Sequence, residues 1–130
     1  MLGALSVGAG GFLGAVCRYL LGLIPWQGEF PLITFIINFT GAVIIGFVAE
    51  FMFQRAGDYN ANLMLFLRTG FCGGYTTLSA LGVETITLFQ KGSYLLGGAY
   101  ALGSLAATLV GVVIGQTLAR LVFGANGVAA

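Results

Sequence analysis

The stretch Gly70-Phe-Cys-Gly-Gly-Tyr-Thr-Thr-Leu-Ser79 lies in the middle of an apolar run from about Asn62 to Phe89. A glycine in a helix interior costs about 1 kcal/mol relative to alanine. Here the adjacent pair Gly73 and Gly74 is followed closely by three hydroxyls, those of Thr76, Thr77 and Ser79. The combination predicts a helix that breaks. Within a bilayer, broken backbone is tolerated only where protein buries it or water reaches it. A break frees carbonyls that can ligate a desolvated alkali cation, and hydroxyls that can donate to an anion. The plainer alternative is a glycine kink with threonines bonded back onto their own helix.

The rest of the chain says that a bilayer is the right frame. Of 130 residues, 58% are hydrophobic and 7% charged, against roughly 25% charged in an average soluble domain. Five basic and four acidic side chains cannot build a solvated surface, and the mean hydropathy of +1.01 agrees. Four stretches are long enough to span, which takes about 20 helical residues. They run from about Leu5 to Ile24, Leu32 to Phe53, Asn62 to Phe89 and Tyr94 to Phe123, in one transmembrane domain over 1–130. The first is not expected to be a cleavable leader, because it lacks a basic start and is interrupted by Arg18. Pro25 closes it, Pro31 opens the second, and Trp26 between them suits a membrane interface. The tail Gly124 to Ala130 is expected to fray. The architecture expected is all-α and integral to the membrane, with both termini on one side and the third helix broken near mid-membrane.

Charge excludes some functions and leaves orientation open. The chain has no histidine, so histidine catalysis and histidine metal sites are absent, and a net charge of +1 offers nucleic acid no basic patch. Cys17 and Cys72 stand alone in apolar runs and read as small buried thiols rather than a disulfide. Arg55, Arg68 and Arg120 lie toward the terminal side, against Lys91 and Arg18 toward the other. Basic residues set topology only when they are biased. Either the topology is weakly specified, or the chain inserts both ways, which would allow an antiparallel dimer of identical chains.

Polar groups in the spans are expensive and point to function. Arg18 lies about 10 Å before Pro25 at 1.5 Å per residue; it either snorkels to the interface or lines a wet, anion-attracting vestibule. The Asn38 amide must bridge helices or face a pore, because its two donors cannot go unsatisfied in hydrocarbon. Glu50 and Glu84 lie nearer the ends of their spans and suit the interface. In the fourth stretch Gly97, Tyr100, Ser104, Thr108, Gly111 and Gly115 recur at steps of three or four, forming one stripe. Such a stripe either packs on a neighbour or, through its three hydroxyls, lines a pathway. The pairs Gly10/Gly14, Gly70/Gly74 and Gly111/Gly115 have the spacing that lets helices approach closely in lipid.

Taken together, Gly10-Gly-Phe-Leu-Gly-Ala-Val-Cys-Arg-Tyr19, Asn38-Phe-Thr-Gly41 and the Gly70–Ser79 segment with Glu84 resemble the fluoride ion channel family, Fluc or CrcB. The resemblance covers nearly the whole chain, and its third motif is the most specific. It implies an antiparallel dual-topology homodimer in the bacterial inner membrane, with two fluoride pores and passive export that lowers cytoplasmic fluoride. It also implies a structural sodium ion at the dimer centre, held by the main-chain carbonyls of Gly73 and Thr76. The anion pathway it implies draws on Asn38, Arg18, Ser79, Glu84, Tyr100, Ser104 and Thr108. Some family members pair with a sister chain instead. One departure is plain: the family has two phenylalanines, three residues apart, after the threonine pair, where this chain has Leu78 and Leu81. Ala80 also stands where threonine is common.

The chemistry agrees. Fluoride is small and strongly hydrated, so a selective pore must replace its water with several donors in a narrow space, and Asn38, Ser79 and the hydroxyl stripe are donors. No triad, carboxylate dyad or phosphate loop suggests an enzyme. Two rivals remain: a small dual-topology drug or metabolite exporter, and a non-conducting membrane scaffold. The exporter needs an acidic residue in its first helix, and this chain has none there.

Overall fold

The computed structural model describes residues 1–55 and 57–124, so most of the tail expected to fray lies outside the described residues. Among those described the chain is helical with no strand. Three helices are long and apolar enough to cross a membrane: α1 (Leu2–Gly22), α2 (Leu32–Arg55) and the last helix (Tyr94–Phe123). The third stretch is in pieces. Its first part, α3, is an α-turn Ala61–Met64, a π-helical segment Leu65–Cys72 and a final turn Gly73–Tyr75. Its second part is α4 (Leu78–Gln90), and Tyr94–Phe123 is then α5.

Local chemistry sets the ends. α1 stops at Gly22, three residues before Pro25, and its last turn tightens as Leu23 and Ile24 N–H donate to Leu20 and Leu21 at 3.2 and 3.1 Å. The residue before a proline is pushed out of the helical region, so the helix cannot reach Pro25. The Pro31 carbonyl accepts from Phe35 N–H at 3.1 Å, beginning α2. Asn60 caps α3 by accepting from Leu63 N–H at 3.0 Å. At the end of α4, Gly92 takes φ +83°, while Gly92 and Ser93 N–H return to Phe89 and Leu88 carbonyls. This is a Schellman ending, with glycine in the left-handed position.

Ser93 Oγ–H donates to Glu29, tying the α4–α5 turn to the α1–α2 turn at one end of the bundle. At the other end Phe123 stacks edge-on against Phe47 and Phe51, with ring centroids 5.8 and 5.0 Å apart. The chain therefore makes four passes, the third of them interrupted.

Two tight seams hold these passes together. α1 lies on α3 with Gly10 and Gly14 facing Gly70 and Gly74; a Cβ on Gly14 would run into the backbone of Phe71 and Tyr75. α5 lies on α2 in the same manner, and a Cβ on Gly115 would run into the backbone of Val43 and Phe47. The buried residues of α5 are Gly97, Tyr100, Ser104, Gly111, Gly115 and Ala119, so the stripe expected from the sequence is the helix's inward face. Its Thr108 is half-buried. Many large apolar side chains point outward, among them Leu5, Phe12, Leu102 and Leu109.

Candidate functional site

The break falls at Thr76 and Thr77, whose backbones are extended, with ψ of 157° and 114°. Thr76 does bond back as the kink alternative required, its N–H and Oγ–H both reaching the Cys72 carbonyl at 3.0 and 2.9 Å. The helix stops nevertheless, because the groups that would continue it have other partners. In an unbroken helix Thr77 N–H would donate to Gly73 and Ala80 N–H to Thr76. Instead Thr77 N–H donates to Asn38 Oδ1 at 2.8 Å, and Ala80 N–H to Thr77 Oγ1 at 3.2 Å, the N-cap of α4. The Gly73 and Thr76 carbonyls thus lose their helical donors.

Side chains from α1 and α2 hold the break open. Asn38 returns the bond it receives, Nδ2–H donating to the Thr77 carbonyl at 3.1 Å. Of the two readings left open for Asn38, bridging is therefore realised. The amide still keeps a second N–H, and Asn38 also lines a cavity. Arg18 does not extend only toward the interface: its Nε donates to the Gly74 carbonyl at 3.1 Å. Tyr75, buried and stacked on Phe71, shares a 2.9 Å hydrogen bond with Thr40. These contacts tie the last turn of α3 to both neighbours.

The cavity beside the break measures about 590 Å3. Of the residues expected at a site, Asn38, Gly73, Thr76, Leu78, Leu81, Ser104 and Thr108 line it. Ser104 is buried and its Oγ has no hydrogen-bond partner. A buried hydroxyl without a partner is the exception in a folded protein, and this one lies on the cavity wall.

The other expected residues lie elsewhere. Ser79 is exposed and its hydroxyl shares a 3.3 Å bond with Thr77 Oγ1, outside the cavity lining. Tyr100 is fully buried. Its hydroxyl donates to Glu84 Oε2 at 2.5 Å, while Thr34 Oγ–H donates to Glu84 Oε1 at 2.7 Å. Glu84 is thus a structural acceptor joining α2, α4 and α5 rather than a free interfacial carboxylate. The hydroxyl stripe splits, with Tyr100 on this carboxylate and Ser104 and Thr108 on the cavity.

Several contacts were not anticipated. Glu50 is buried, and Arg120 grips both its oxygens, at 2.9 and 3.1 Å, linking α2 to α5. The cost of an unpaired acid in a span requires some partner, but spacing alone does not choose among three terminal-side arginines. Arg68 lines the cavity. Cys17 and Cys72 are free thiols, Cys72 buried and lining the same cavity. Among the described residues no cluster of three acidic, histidine or cysteine side chains exists to hold a metal.

Comparison with known sequences matches residues 5–116 to the family described as CrcB-like protein, Camphor Resistance (CrcB). The chain belongs to this family. It is 44% identical to the fluoride-specific ion channel FluC of Clostridium perfringens, over 95% of this chain and 98% of that protein. The FluC of Rhizobium meliloti is 42% identical over 89% and 94% of the two chains. That of Chlorobaculum tepidum is 42% identical over 93% and 97%. The resemblance stated from the residues is therefore a membership, and a CrcB-family chain with these spans is a multi-pass membrane protein.

Proposed function

We propose that this chain conducts fluoride passively across the bacterial plasma membrane and so lowers cytoplasmic fluoride. It is a channel and not an enzyme. The observation that carries this reading is the cavity at the break, which is lined by Asn38, by Ser104 with its partnerless hydroxyl and by Thr108. Fluoride entering there would exchange water for hydrogen-bond donors, the replacement of a hydration shell on which selective pores depend. Arg18, beside the break, supplies positive charge, and Ser79 a further hydroxyl at its edge. Tyr100 and Glu84 belong to the same pathway as the hydrogen-bonded pair that fixes α5 against α4. Leu78 and Leu81 form its apolar wall.

The working unit in this proposal is two copies inserted in opposite orientations, with two pathways between them and lipid on the remaining apolar faces. Near-balanced basic residues support it, three toward the terminal side against two toward the other. A sodium ion at the centre fits the residues present, because Gly73 and Thr76 carbonyls have had their helical donors diverted to Asn38 and Thr77. Bound there, sodium would supply electrostatic cross-linking of the two breaks; its ligands in each copy would be these two carbonyls. A cysteine reporter at a terminus should label from both faces of the membrane. Dimer melting should drop when sodium is replaced by a large organic cation.

The test of function is fluoride efflux from proteoliposomes read by an ion-selective electrode. Rapid, passive, chloride-rejecting efflux is expected. Proton-coupled transport of an organic cation would favour the exporter, and silence toward both would favour a scaffold. A sister chain that restores flux to a silent preparation would make this chain one half of a heterodimer.

A further inference from the structure

We propose that Arg68 is the electrostatic collector of the pathway at its terminal side, concentrating fluoride in the cavity without coordinating it at the break. This rests on the channel reading above. Four arginines are present, and their placement separates their roles. Arg120 is held by Glu50. Arg18 uses its Nε on the Gly74 carbonyl. Arg55, at the end of α2, lies over the Phe51 ring, 5.1 Å from its centroid. Arg68 makes no ion pair, side-chain hydrogen bond or aromatic contact among the described residues, yet it is exposed and lines the cavity.

Arg68 also lies inside the π-helical segment of α3, seven residues after Ala61. Charge at that depth is costly unless it faces water or a partner. No carboxylate lines the cavity, so nothing there offsets the guanidinium. A cleft lined by one sign of charge raises the local concentration of counter-ions and their rate of entry. The remaining physical use of such an arginine is to snorkel toward lipid headgroups, which would give it no influence on anion entry.

The two uses separate by salt. In zwitterionic vesicles the headgroups carry no net charge, and screening shortens the reach of Arg68 from about 30 Å at 0.01 M to about 3 Å at 1 M. Arg68→Gln should therefore lower initial fluoride efflux about three- to tenfold at low ionic strength, and converge with wild type in molar potassium isethionate. Arg68→Lys should stay near wild type, and Arg68→Glu should fall below Arg68→Gln at low salt. Equal elution as a dimer on size exclusion checks that all variants are assembled. A deficit in Arg68→Gln that is the same at both salts, or no deficit at low salt, overturns the collector while leaving the channel intact. A wild-type protein silent to fluoride at every salt overturns both.

Discussion

The two seams of the molecule are built from the same material and end differently. α2 and α5 close over Gly46, Gly111 and Gly115, and both helices are unbroken over Leu32–Arg55 and Tyr94–Phe123. α1 and α3 close over Gly10, Gly14, Gly70 and Gly74, and α3 then stops at Tyr75. Close glycine packing is therefore not what breaks a helix here. The difference lies one step further along, where Asn38, Arg18 and Thr77 offer the backbone side-chain partners in place of helical ones. At membrane depth a donor or acceptor taken out of a helix must find another partner, in protein or in a water-lined cavity. The α2–α5 seam assembles the bundle; the α1–α3 seam presents a backbone freed for other use.

Removing the replacement partner should be the most damaging change. Asn38→Leu orphans both the N–H and the carbonyl of Thr77, and each unsatisfied buried group costs about 1–3 kcal/mol. Fluoride efflux from proteoliposomes should fall by at least about 100-fold, with assembled protein still recoverable through the intact α2–α5 seam. Near-normal flux from Asn38→Leu would mean that the break holds itself open and that the contrast between the seams is wrong.

The seams themselves are probed next. Gly14→Ala and Gly115→Ala each drive a methyl into backbone, and overpacking of this kind costs about 1–3 kcal/mol. Both should lower the melting temperature in detergent. Gly14→Ala should also depress flux per assembled dimer, because α1 carries Arg18 onto the break, whereas Gly115→Ala should mainly reduce yield. Equal effects on flux per dimer would erase the distinction between an assembling seam and a presenting one.

A smaller effect is expected at Tyr75. Tyr75→Phe removes one hydrogen bond to Thr40 but keeps the ring that stacks on Phe71. Thr40 retains its bond to the Ile36 carbonyl, so no group is stranded and the loss is about 1 kcal/mol. Melting should shift by a few degrees at most, and flux should be nearly unchanged.

The sequence made one of these regions more legible than the other. The break was readable from Gly73 and Gly74 followed by the hydroxyls of Thr76, Thr77 and Ser79, because the helix cost of glycine is a local effect. The inward stripe of α5 was readable because its period is set by the helix itself. Which neighbour each stripe residue meets was not. α5 touches both α2 and α4, and the turn between them decides that Tyr100 meets Glu84 while Ser104 meets the cavity. The π-helical register of Leu65–Cys72 was hidden for the same reason. The placement of Arg68 within that segment, beside the cavity, was hidden with it.

The last expected effect concerns the wall of the cavity rather than its backbone. Leu78 is 81% exposed within one copy and Leu81 is half-buried, and both line the cavity. A phenylalanine edge carries partial positive charge and can touch an anion favourably, whereas leucine offers neutral hydrocarbon. Both positions lie beside stronger donors, the Asn38 amide and the Ser104 and Thr108 hydroxyls, so an aromatic edge adds to a pathway that already has ligands. An edge contact is worth about 1 kcal/mol, which is roughly tenfold in rate or less. Leu78→Phe with Leu81→Phe should therefore change fluoride throughput by no more than about that factor and leave chloride excluded, far below the effect of Asn38→Leu. Flux that appears only in the double phenylalanine variant would reverse the ranking. The wall, and not the break, would then limit conduction, and the natural chain would need a partner carrying the missing aromatic edges.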